Sequence, residues 1–221
     1  MSQPSILNGG AVVQITDIRA AKSRQRVNIH LDGKPAFSLE AEVAVKEGLQ
    51  VGQELSDSQI ETLATSDRYQ RCYSAAVSSI RLRPRSKFEI RERLKRRGFD
   101  IKCIEAVINR LEETNLVDDA AFAQFWKENR ESFSPRSAGL TKLELRRKGV
   151  NTDIIDQIAG DIDDTESAYQ AASAKARSLP LSDYEMFRRR LSGYLKRRGF
   201  GYETIKNTVT RIWQEQGSNS R

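Results

Sequence analysis

The stretch "RLKRRGF" at residues 93–99 returns almost unchanged as "YLKRRGF" at residues 194–200, and a looser copy, "ELRRKGV", lies between them at 144–150. These copies place their glycines 51 and 50 residues apart, at Gly98, Gly149 and Gly199. A fixed period of this size predicts a chain built from repeated units, each a short group of secondary-structure elements.

Apolar residues keep register with these glycines. A leucine lies four residues before each glycine, and further apolar residues lie six and thirteen residues after it, at steps of three and four that place them on one helical face. The aligned residues are Leu94, Leu145 and Leu195, then Ile104, Ile155 and Ile205, then Leu111, Ile162 and Ile212. Each repeat is therefore expected to bury one face of its last helix.

Each copy predicts a helix, a tight turn and a second helix. A basic run followed by glycine is a common helix end, because glycine adopts the left-handed conformation without a Cβ penalty. Two residues after each glycine comes a residue type favoured at a helix N-cap: Asp100, Asn151 or Gly201. An earlier helix is predicted in each repeat by "YQRCYSAAVSSI", "DAAFAQFWKENR" and "TESAYQAASAKAR". The repeats are thus three-helix units that share apolar surface with their neighbours.

Helix starts are also marked. "SKFE" at 86–89 and "SDYE" at 182–185 fit the spacing of a capping box. The triplet "PRS" occurs identically at 84–86 and 135–137, and the third repeat lacks it.

The N-terminal segment has a different period. "RVNIHLDGKPAFSLE" alternates apolar and polar residues, with Asp32-Gly33 as a hairpin turn signal, and "AVVQITDIR" is a third candidate strand. Ala41 to Glu47 suggests a short helix, and a second helix with a capping box begins at Ser56. We predict a mainly α protein in which a small β-containing domain (1–67) precedes an elongated, curved array of three repeats (68–119, 120–165 and 166–216) and a disordered tail (217–221).

Composition fits this architecture. The 221 residues are 38% hydrophobic and 30% charged, which favours a helical protein with small cores. The net charge of +7 is unevenly distributed, because residues 68–110 carry +9 and 186–221 carry +7, whereas 1–67 carry −3 and 111–185 carry −6. Two basic segments around an acidic one suit a polyanion, or an assembly that contains one, bound at two places.

The basic triplets before the glycines are the main functional candidates, and they have two interpretations. Cations in the last turn of a helix interact favourably with the helix dipole, at about 0.3 to 1 kcal/mol each, and need no ligand. Their recurrence in all three repeats instead favours contact with phosphates or an acidic protein surface. The residues concerned are Lys95, Arg96 and Arg97, then Arg146, Arg147 and Lys148, then Lys196, Arg197 and Arg198.

Other candidates favour structural roles. His30 is predicted to be an exposed strand residue, and Asp118-Asp119 precede a helix as an N-cap would. Phe122, Phe125 and Trp126 share helical spacing and predict core packing rather than base stacking. No phosphate loop, nucleophile elbow, metal-binding histidine pair or catalytic triad pattern occurs, so we expect neither an enzyme nor a cofactor or metal.

The two cysteines, Cys72 and Cys103, have no paired spacing and are expected to be small apolar residues on helices. No stretch is long and apolar enough to span a membrane, and the N-terminus lacks the pattern of a signal peptide. We expect a cytoplasmic monomer with no membrane partner.

With the repeats in view, the chain resembles the RecX family, bacterial regulators of the RecA recombinase, from about Val12 to Trp213. The resemblance is carried by "RPRSKFEIRERLKRRGF", "NLVDDAAFAQFWKENR" and "TKLELRRKGV", in this order and spacing. The N-terminal strands resemble the β-containing extension of longer members. The third repeat departs from the pattern, with "SLPLSDYEMF" where the others carry "PRS".

The resemblance implies tandem three-helix repeats that lie in the groove of a RecA filament on single-stranded DNA and restrain its ATPase activity, growth and strand exchange in recombination and repair. It also implies contacts from the basic triplets together with Arg85, Arg130 and Arg136. From the charge pattern we expect weak, non-specific duplex binding.

Two other classes of function stay open at this stage. One is a helix-turn-helix transcriptional or architectural protein, although such a protein usually places its reading side chains along the second helix and binds as a dimer. The other is a general protein scaffold, which the repeat architecture alone would allow.

Overall fold

The computed structural model describes residues 12–22 and 25–218 of the chain. The described residues are mostly helical, with one small antiparallel sheet at the N-terminal end. They form two compact units: one contains the residues up to Arg81 together with Arg93–Arg110, and the other contains Leu82–Glu92 and the residues from Leu111 onward. The mainly α class and the N-terminal β-containing domain are therefore confirmed.

The sheet has four antiparallel strands in the order β3-β2-β1-β4. They are β1 (Val12–Ala20), β2 (Arg26–Leu31), β3 (Lys34–Glu40) and β4 (Glu54–Ser56). The first three were predicted from their alternation. The fourth was not, because three residues are too few to show a period of two.

The β2–β3 hairpin turns at Asp32 and Gly33, which both have positive φ angles, 50° and 78°. This is the backbone of a two-residue type I′ turn and confirms the Asp-Gly signal. One face of the sheet buries Ile15, Ile29 and Leu39 in a small core. His30, on the other face, is half-buried rather than exposed, and its Nδ1 atom is enclosed without a hydrogen-bond partner among the described residues. The prediction that the His30 side chain is exposed was therefore wrong, because the side chain is half-buried.

The short helix α1 (Ala41–Lys46) follows the sheet as predicted. Two helices were predicted in the next segment, but the structure has one continuous helix, α2 (Asp57–Leu82). No glycine or proline interrupts these 26 residues, so nothing ends the first helix before the second begins. Its start is the predicted capping box: the Ser56 N–H donates to Gln59 Oε1 at 2.8 Å, and the Gln59 N–H donates to Ser56 Oγ at 3.3 Å.

Eight further helices complete the three repeats within the described residues. They are α3 (Lys87–Arg96), α4 (Ile101–Glu113), α5 (Asp119–Phe133), α6 (Ala138–Arg147), α7 (Thr152–Ala159), α8 (Asp164–Ala176), α9 (Tyr184–Arg197) and α10 (Tyr202–Ser218). The first repeat takes α2, α3 and α4, the second α5 to α7, and the third α8 to α10. Of the predicted tail, residues 217 and 218 belong to α10, and 219–221 lie outside the described residues.

The glycine register is confirmed by burial and by backbone geometry. The leucines four residues before the glycines are at most 1% exposed, and Ile104 and Ile155 are fully buried. Gly98, Gly149 and Gly199 have φ angles of 83°, 72° and 86°. In each turn the N–H of the residue after the glycine bonds back to the carbonyl of the aligned leucine, as in a Schellman motif.

The second and third repeats each have a core of their own. In the second, Phe122, Leu145 and Ile155 are buried together, and the partly buried Trp126 packs against them, so Phe122 and Trp126 pack in the core as predicted. Phe125 is also partly buried but does not belong to this cluster. In the third, Phe187, Leu191 and Leu195 are fully buried among small alanines of α8. One helix start was wrongly predicted: the N-cap of α9 is Asp183 and not Ser182.

Candidate functional site

The first two residues of every basic triplet are exposed at the end of a helix. Lys95 and Arg96 end α3, Arg146 and Arg147 end α6, and Lys196 and Arg197 end α9. In the first repeat the third residue, Arg97, is exposed too. Within residues 12–22 and 25–218, none of these seven cations forms an ion pair shorter than 4.0 Å. They are therefore available to a partner.

The third residue of the other two triplets is engaged internally. Lys148 pairs with Glu89, and its Nζ atom lies 5.0 Å from the centre of the Trp126 ring. Arg198 donates to Ser134 Oγ at 3.0 Å and to the Pro135 carbonyl at 2.9 Å. Both side chains are half-buried. These two members of the predicted binding set thus hold the fold together, which consecutive basic letters alone do not reveal.

Arg130 and Arg136 are also used internally. Arg130 Nε donates to Glu144 Oε2 at 2.8 Å, and Arg136 pairs with the other oxygen of the same carboxylate. The Trp126 indole N–H donates to Glu144 Oε2 at 2.9 Å, and Arg130 lies 4.6 Å from the Trp126 ring centre. Glu144 therefore gathers two cations and an indole around the second repeat's core. Arg85 is half-buried.

The glycine turn of each later repeat contacts the helix start of the preceding repeat. Ser86, the last residue of the first "PRS", donates from Oγ to the Lys148 carbonyl at 2.6 Å. The N–H of Ser137, the last residue of the second "PRS", donates to the Arg198 carbonyl at 3.1 Å. The identical triplets thus mark the place where the next repeat attaches. The repetition is visible in the sequence, but this role is not.

This close approach gives the turns of the second and third repeats a second reason to require glycine, besides their backbone conformation. A Cβ atom on Gly149 would lie 2.7 Å from Cγ of Phe88, and one on Gly199 would lie 2.7 Å from Cβ of Leu140. A Cβ atom on Gly98 would meet nothing within 4 Å among the described atoms. Conformation alone demands glycine in the first repeat, whereas conformation and packing both demand it in the other two.

Paired aspartates provide a second attachment between repeats. Asp118 accepts hydrogen bonds from the N–H groups of Ala120 and Ala121, so it is the N-cap that was predicted. Its neighbour Asp119 instead accepts the N–H of Lys87, at 2.9 Å, from the first turn of α3. Burial raises the pKa of the Asp119 carboxyl, against the lowering effect of this hydrogen bond and of the nearby Lys87 ammonium.

The third repeat uses the same arrangement. Asp163 caps α8, and Asp164 accepts the N–H of Ala138 at 2.7 Å from the first turn of α6. In each pair, therefore, the first acid caps its own helix and the second caps a helix of the repeat before it. The letters "DD" at the start of α5 and of α8 carried this signal, but only the geometry separates the two roles.

Glu89 joins the same junction electrostatically. It receives two hydrogen bonds from Arg83, at 2.9 and 3.0 Å, and pairs with Lys148. Burial acts to raise the pKa of its carboxyl, but the hydrogen bonds and positive charges of Arg83 and Lys148 outweigh it, so the pKa of Glu89 is lowered. The charged form is therefore the one that fits this site.

Other chemistry is sparse among the described residues. Cys72 is buried on α2, and Cys103 is half-buried on α4; both are free thiols, and burial raises the pKa of each. Within residues 12–22 and 25–218, no three histidine, cysteine, aspartate or glutamate side chains are grouped as metal ligands would be. None of the helices in that part of the chain has the length and apolar character needed to cross a membrane.

A small sheet followed along the chain by three tandem three-helix units defines a helical-repeat protein, which has paired basic side chains at its turns. Its segments match family models for the regulatory protein RecX N-terminal domain at residues 13–56, the first RecX three-helix domain at 72–111 and the third at 161–209. The chain belongs to the RecX family of regulatory proteins.

Individual relatives agree. The regulatory protein RecX of Chlorobaculum tepidum is 36% identical over 150 residues, which cover 66% of this chain and 93% of that protein. The regulatory protein RecX of Clostridium botulinum strain Alaska E43 is 29% identical over 204 residues, or 90% of this chain and 95% of that protein. A crystal structure of a regulatory protein RecX superposes with a TM-score of 0.65 at 27% identity and covers 88% of this chain and 99% of its own.

Proposed function

We propose that this protein is a non-catalytic regulator in the cytoplasm that binds the RecA recombinase filament on single-stranded DNA. It would inhibit the filament's ATP hydrolysis, growth and strand exchange in recombination and repair. Membership of the RecX family supports the assignment, since members are understood as regulators of RecA. The sparse chemistry of the described residues is compatible with action through binding alone.

One observation carries the proposal: an exposed basic pair stands at the same structural position in three successive repeats. These pairs are Lys95-Arg96, Arg146-Arg147 and Lys196-Arg197. A helical filament also repeats, so successive pairs would meet equivalent acidic or phosphate groups on successive protomers. Several weak contacts made by one chain add up through effective concentration, without any single strong site.

Such binding would inhibit by bridging. A chain attached to neighbouring protomers at two or more places opposes any movement of one protomer against the next. We infer that a bridging protein would slow ATP turnover by restraining this movement, and would slow growth by blocking the addition of new subunits. A single copy of the chain would suffice to bridge neighbouring protomers, because it carries three basic pairs.

The test is RecA ATP hydrolysis on single-stranded DNA with added protein. Replacing the second cation of each exposed pair with glutamine, in Arg96→Gln, Arg147→Gln and Arg197→Gln together, removes three positive charges without placing a carboxylate at the negative end of a helix. The matched control removes three exposed cations that lie outside the turns at Gly98, Gly149 and Gly199: Lys34→Gln, Lys46→Gln and Arg177→Gln. Both variants keep a formal charge of +4, starting from +7.

We expect the turn variant to need at least tenfold more protein than wild type for half-inhibition, and the control to stay within about twofold. Circular dichroism should give equal helical content for all three proteins. Equal inhibition by the turn variant and wild type would reduce the pairs to solvated helix ends. If wild type leaves RecA ATP hydrolysis unchanged at every ratio, the regulator proposal is wrong.

A further inference from the structure

The third repeat has a groove between α9 and α10 that the proposed function does not yet use. Its volume is about 250 Å³, and its floor is formed by Ile205 and Val209. Around it stand two tyrosines, three cations and a glycine: Tyr184, Tyr202, Arg188, Lys196, Lys206 and Gly193. This volume is below the range of about 300 to 1,000 Å³ typical of pockets for drug-sized ligands, and it suits a single flat ring system.

Gly193 is the least expected of these residues. A glycine inside a helix is unfavourable, because it loses more backbone entropy on folding than other residues do. A Cβ atom added at Gly193 would meet only Nη1 of Arg197, at 3.6 Å, which is ordinary contact distance. Packing therefore does not require glycine here. Its effect is to leave the groove open.

The second repeat has different residues at the aligned positions. Alignment on the glycine turns sets Gly193 against Leu143, and Lys206 against Asp156. In the second repeat Lys142 bonds to Asp156 at 2.8 Å, between α6 and α7. The third repeat thus has a glycine where the second has a large apolar residue, and a lysine where the second has an acid. Both changes make the groove more open and more positive.

The two tyrosines supply flat surfaces, and ring contacts hold the first of them in place. The Tyr184 ring meets the Trp213 ring edge to face, with centroids 5.1 Å apart, and Trp213 is in turn held 5.1 Å from Phe187. Tyr184 nevertheless remains 37% exposed, and Tyr202 is 76% exposed. Exposed aromatic rings beside cations are the combination on which single-stranded nucleic acids stack their bases, whatever the base sequence.

The three cations favour a polyanion as the occupant. Arg188 pairs with Glu185 at 2.6 Å, but both side chains are more than half exposed, so this pair is weak enough to yield to a phosphate. Lys196 and Lys206 have no ion-pair partner within 4.0 Å among the described residues. Residues 186–221 contain nine basic and two acidic residues, which adds a general attraction for phosphates.

We propose that the groove between α9 and α10 holds an unstacked base of single-stranded DNA, with Tyr184 and Tyr202 against the base and Arg188, Lys196 and Lys206 on the flanking phosphates. This inference rests on the proposed function only for the identity of its partner. An acidic protein segment would match the cations, but it would not use the two exposed rings. The structure therefore favours nucleic acid.

The test compares two anions of equal charge at the same salt concentration: a labelled deoxythymidine 15-mer and an abasic sugar-phosphate chain of the same length. Fluorescence anisotropy measures the Kd of full-length protein for each. Base stacking should make wild type bind the thymidine strand about tenfold more tightly than the abasic chain. Gly193→Leu fills the groove and keeps every cation, so it should remove this preference while binding of the abasic chain stays within about twofold.

Gly193→Ala is the matched control, because it restores helix propensity but adds only one carbon; it should keep the preference. Tyr202→Ala should lose most of it. A melting temperature of Gly193→Leu equal to or above that of wild type excludes misfolding as the cause. The inference is overturned if wild type binds both chains equally, or if Gly193→Leu keeps the preference.

A decaglutamate peptide serves as the other occupant. If Gly193→Leu weakens binding of this peptide and leaves the base preference intact, the groove takes an acidic protein segment and the nucleic-acid inference is wrong. RecA ATP hydrolysis, measured separately, distinguishes the two proposals. If wild type prefers the thymidine strand but does not inhibit RecA, the groove binds a base and the proposed function is wrong. If wild type inhibits RecA without preferring the thymidine strand, the proposed function stands and the groove inference is wrong.

Discussion

The Ser86 hydroxyl donates a hydrogen bond of 2.6 Å to the carbonyl oxygen of Lys148, 62 residues further along the chain. The same hydroxyl accepts the N–H of Glu89 at 3.1 Å. One side chain thus caps its own helix and fastens the glycine turn of the next repeat. Ser137 stands at the equivalent place, where Oγ accepts the N–H of Leu140 and the backbone N–H reaches Arg198.

Ser86→Ala should therefore cost more than the loss of a helix cap. We expect this substitution to lower the free energy of unfolding by about 2 kcal/mol, since a cap contributes about 1 kcal/mol and a further hydrogen bond a similar amount. Ser182→Ala is the control, because Asp183 caps α9 and the serine before it does not. Urea unfolding measures both. An equal, small effect of the two substitutions would contradict the double role of Ser86.

Alanine at the three turn glycines should destabilise in a defined order. At Gly98 the cost is that of a positive φ angle, about 1 kcal/mol. At Gly149 and Gly199 the added Cβ atom also collides with Phe88 or with Ser137 and Leu140, so we expect at least 1 kcal/mol more. Thermal unfolding of the three single variants gives the order. A Gly98→Ala variant as unstable as the other two would show that the contacts between repeats are not limiting.

Arg197 and Arg198 should separate binding from stability although they are neighbours. Arg198→Ala loses the bonds to Ser134 and Pro135 and should lower the unfolding free energy by about 1 kcal/mol. Arg197→Ala, at an exposed site, should leave stability unchanged within about 0.5 kcal/mol and should weaken inhibition of RecA ATP hydrolysis. If Arg197→Ala instead lowers stability and Arg198→Ala weakens inhibition, the binding role belongs to Arg198 and the prediction is wrong.

The junction at Glu89 should respond to acid. Because the pKa of Glu89 is lowered in the folded protein, its charged form stabilises the fold above the ordinary glutamate pKa of about 4.3, and this contribution is lost as pH falls through the lower folded value. Glu89→Gln should therefore be less stable than wild type at pH 7, with the gap closing below about pH 4.

Asp119 provides the control of opposite sign. Its pKa is raised, so its contribution to stability grows as pH falls. The stability of wild type relative to Asp119→Asn should thus increase as pH falls from the raised pKa of Asp119 to the ordinary aspartate pKa of about 3.9. Denaturant unfolding across pH 3 to 7 measures both series. A Glu89 gap independent of pH would mean that its ion pairs with Arg83 and Lys148 contribute nothing in solution.

DNA binding by the isolated protein should be weak and governed by salt. Each phosphate contact lowers log K by about 0.9 per unit of log salt on duplex and about 0.7 on single strands. The turn variant Arg96→Gln, Arg147→Gln, Arg197→Gln should reduce the slope of log K against log salt by the amount that up to about three phosphate contacts contribute. Strong preference for one duplex sequence at physiological salt would instead favour the helix-turn-helix alternative.

Much of the fold could be predicted from the sequence because it repeats. The register of Leu94, Leu145 and Leu195 located the helices and their buried face, and the glycines located the turns. The contacts between repeats could not be predicted, because Ser86 and Lys148 lie far apart in the chain and neither letter implies the other.

The candidate site was only partly predictable for a related reason. Three consecutive cations look alike in the sequence, but a helix turns about 100° per residue, so they point in different directions. In the second and third repeats that rotation brings Lys148 and Arg198 back onto the preceding repeat and leaves the first two cations exposed. The groove of the third repeat was missed because Gly193, inside a helix, carries no periodic signal.

The second aspartate of each pair has a consequence for how the chain folds as it is made. Asp119 completes the start of α3, and Asp164 completes the start of α6, so each of these helices lacks an acceptor until the following repeat has been synthesised. At about 5 to 20 residues per second, the interval from Lys87 to Asp119 lasts a few seconds on the ribosome. Each of the first two repeats thus emerges with a helix start that only the next repeat caps, so the array is stabilised in the same direction in which it is translated.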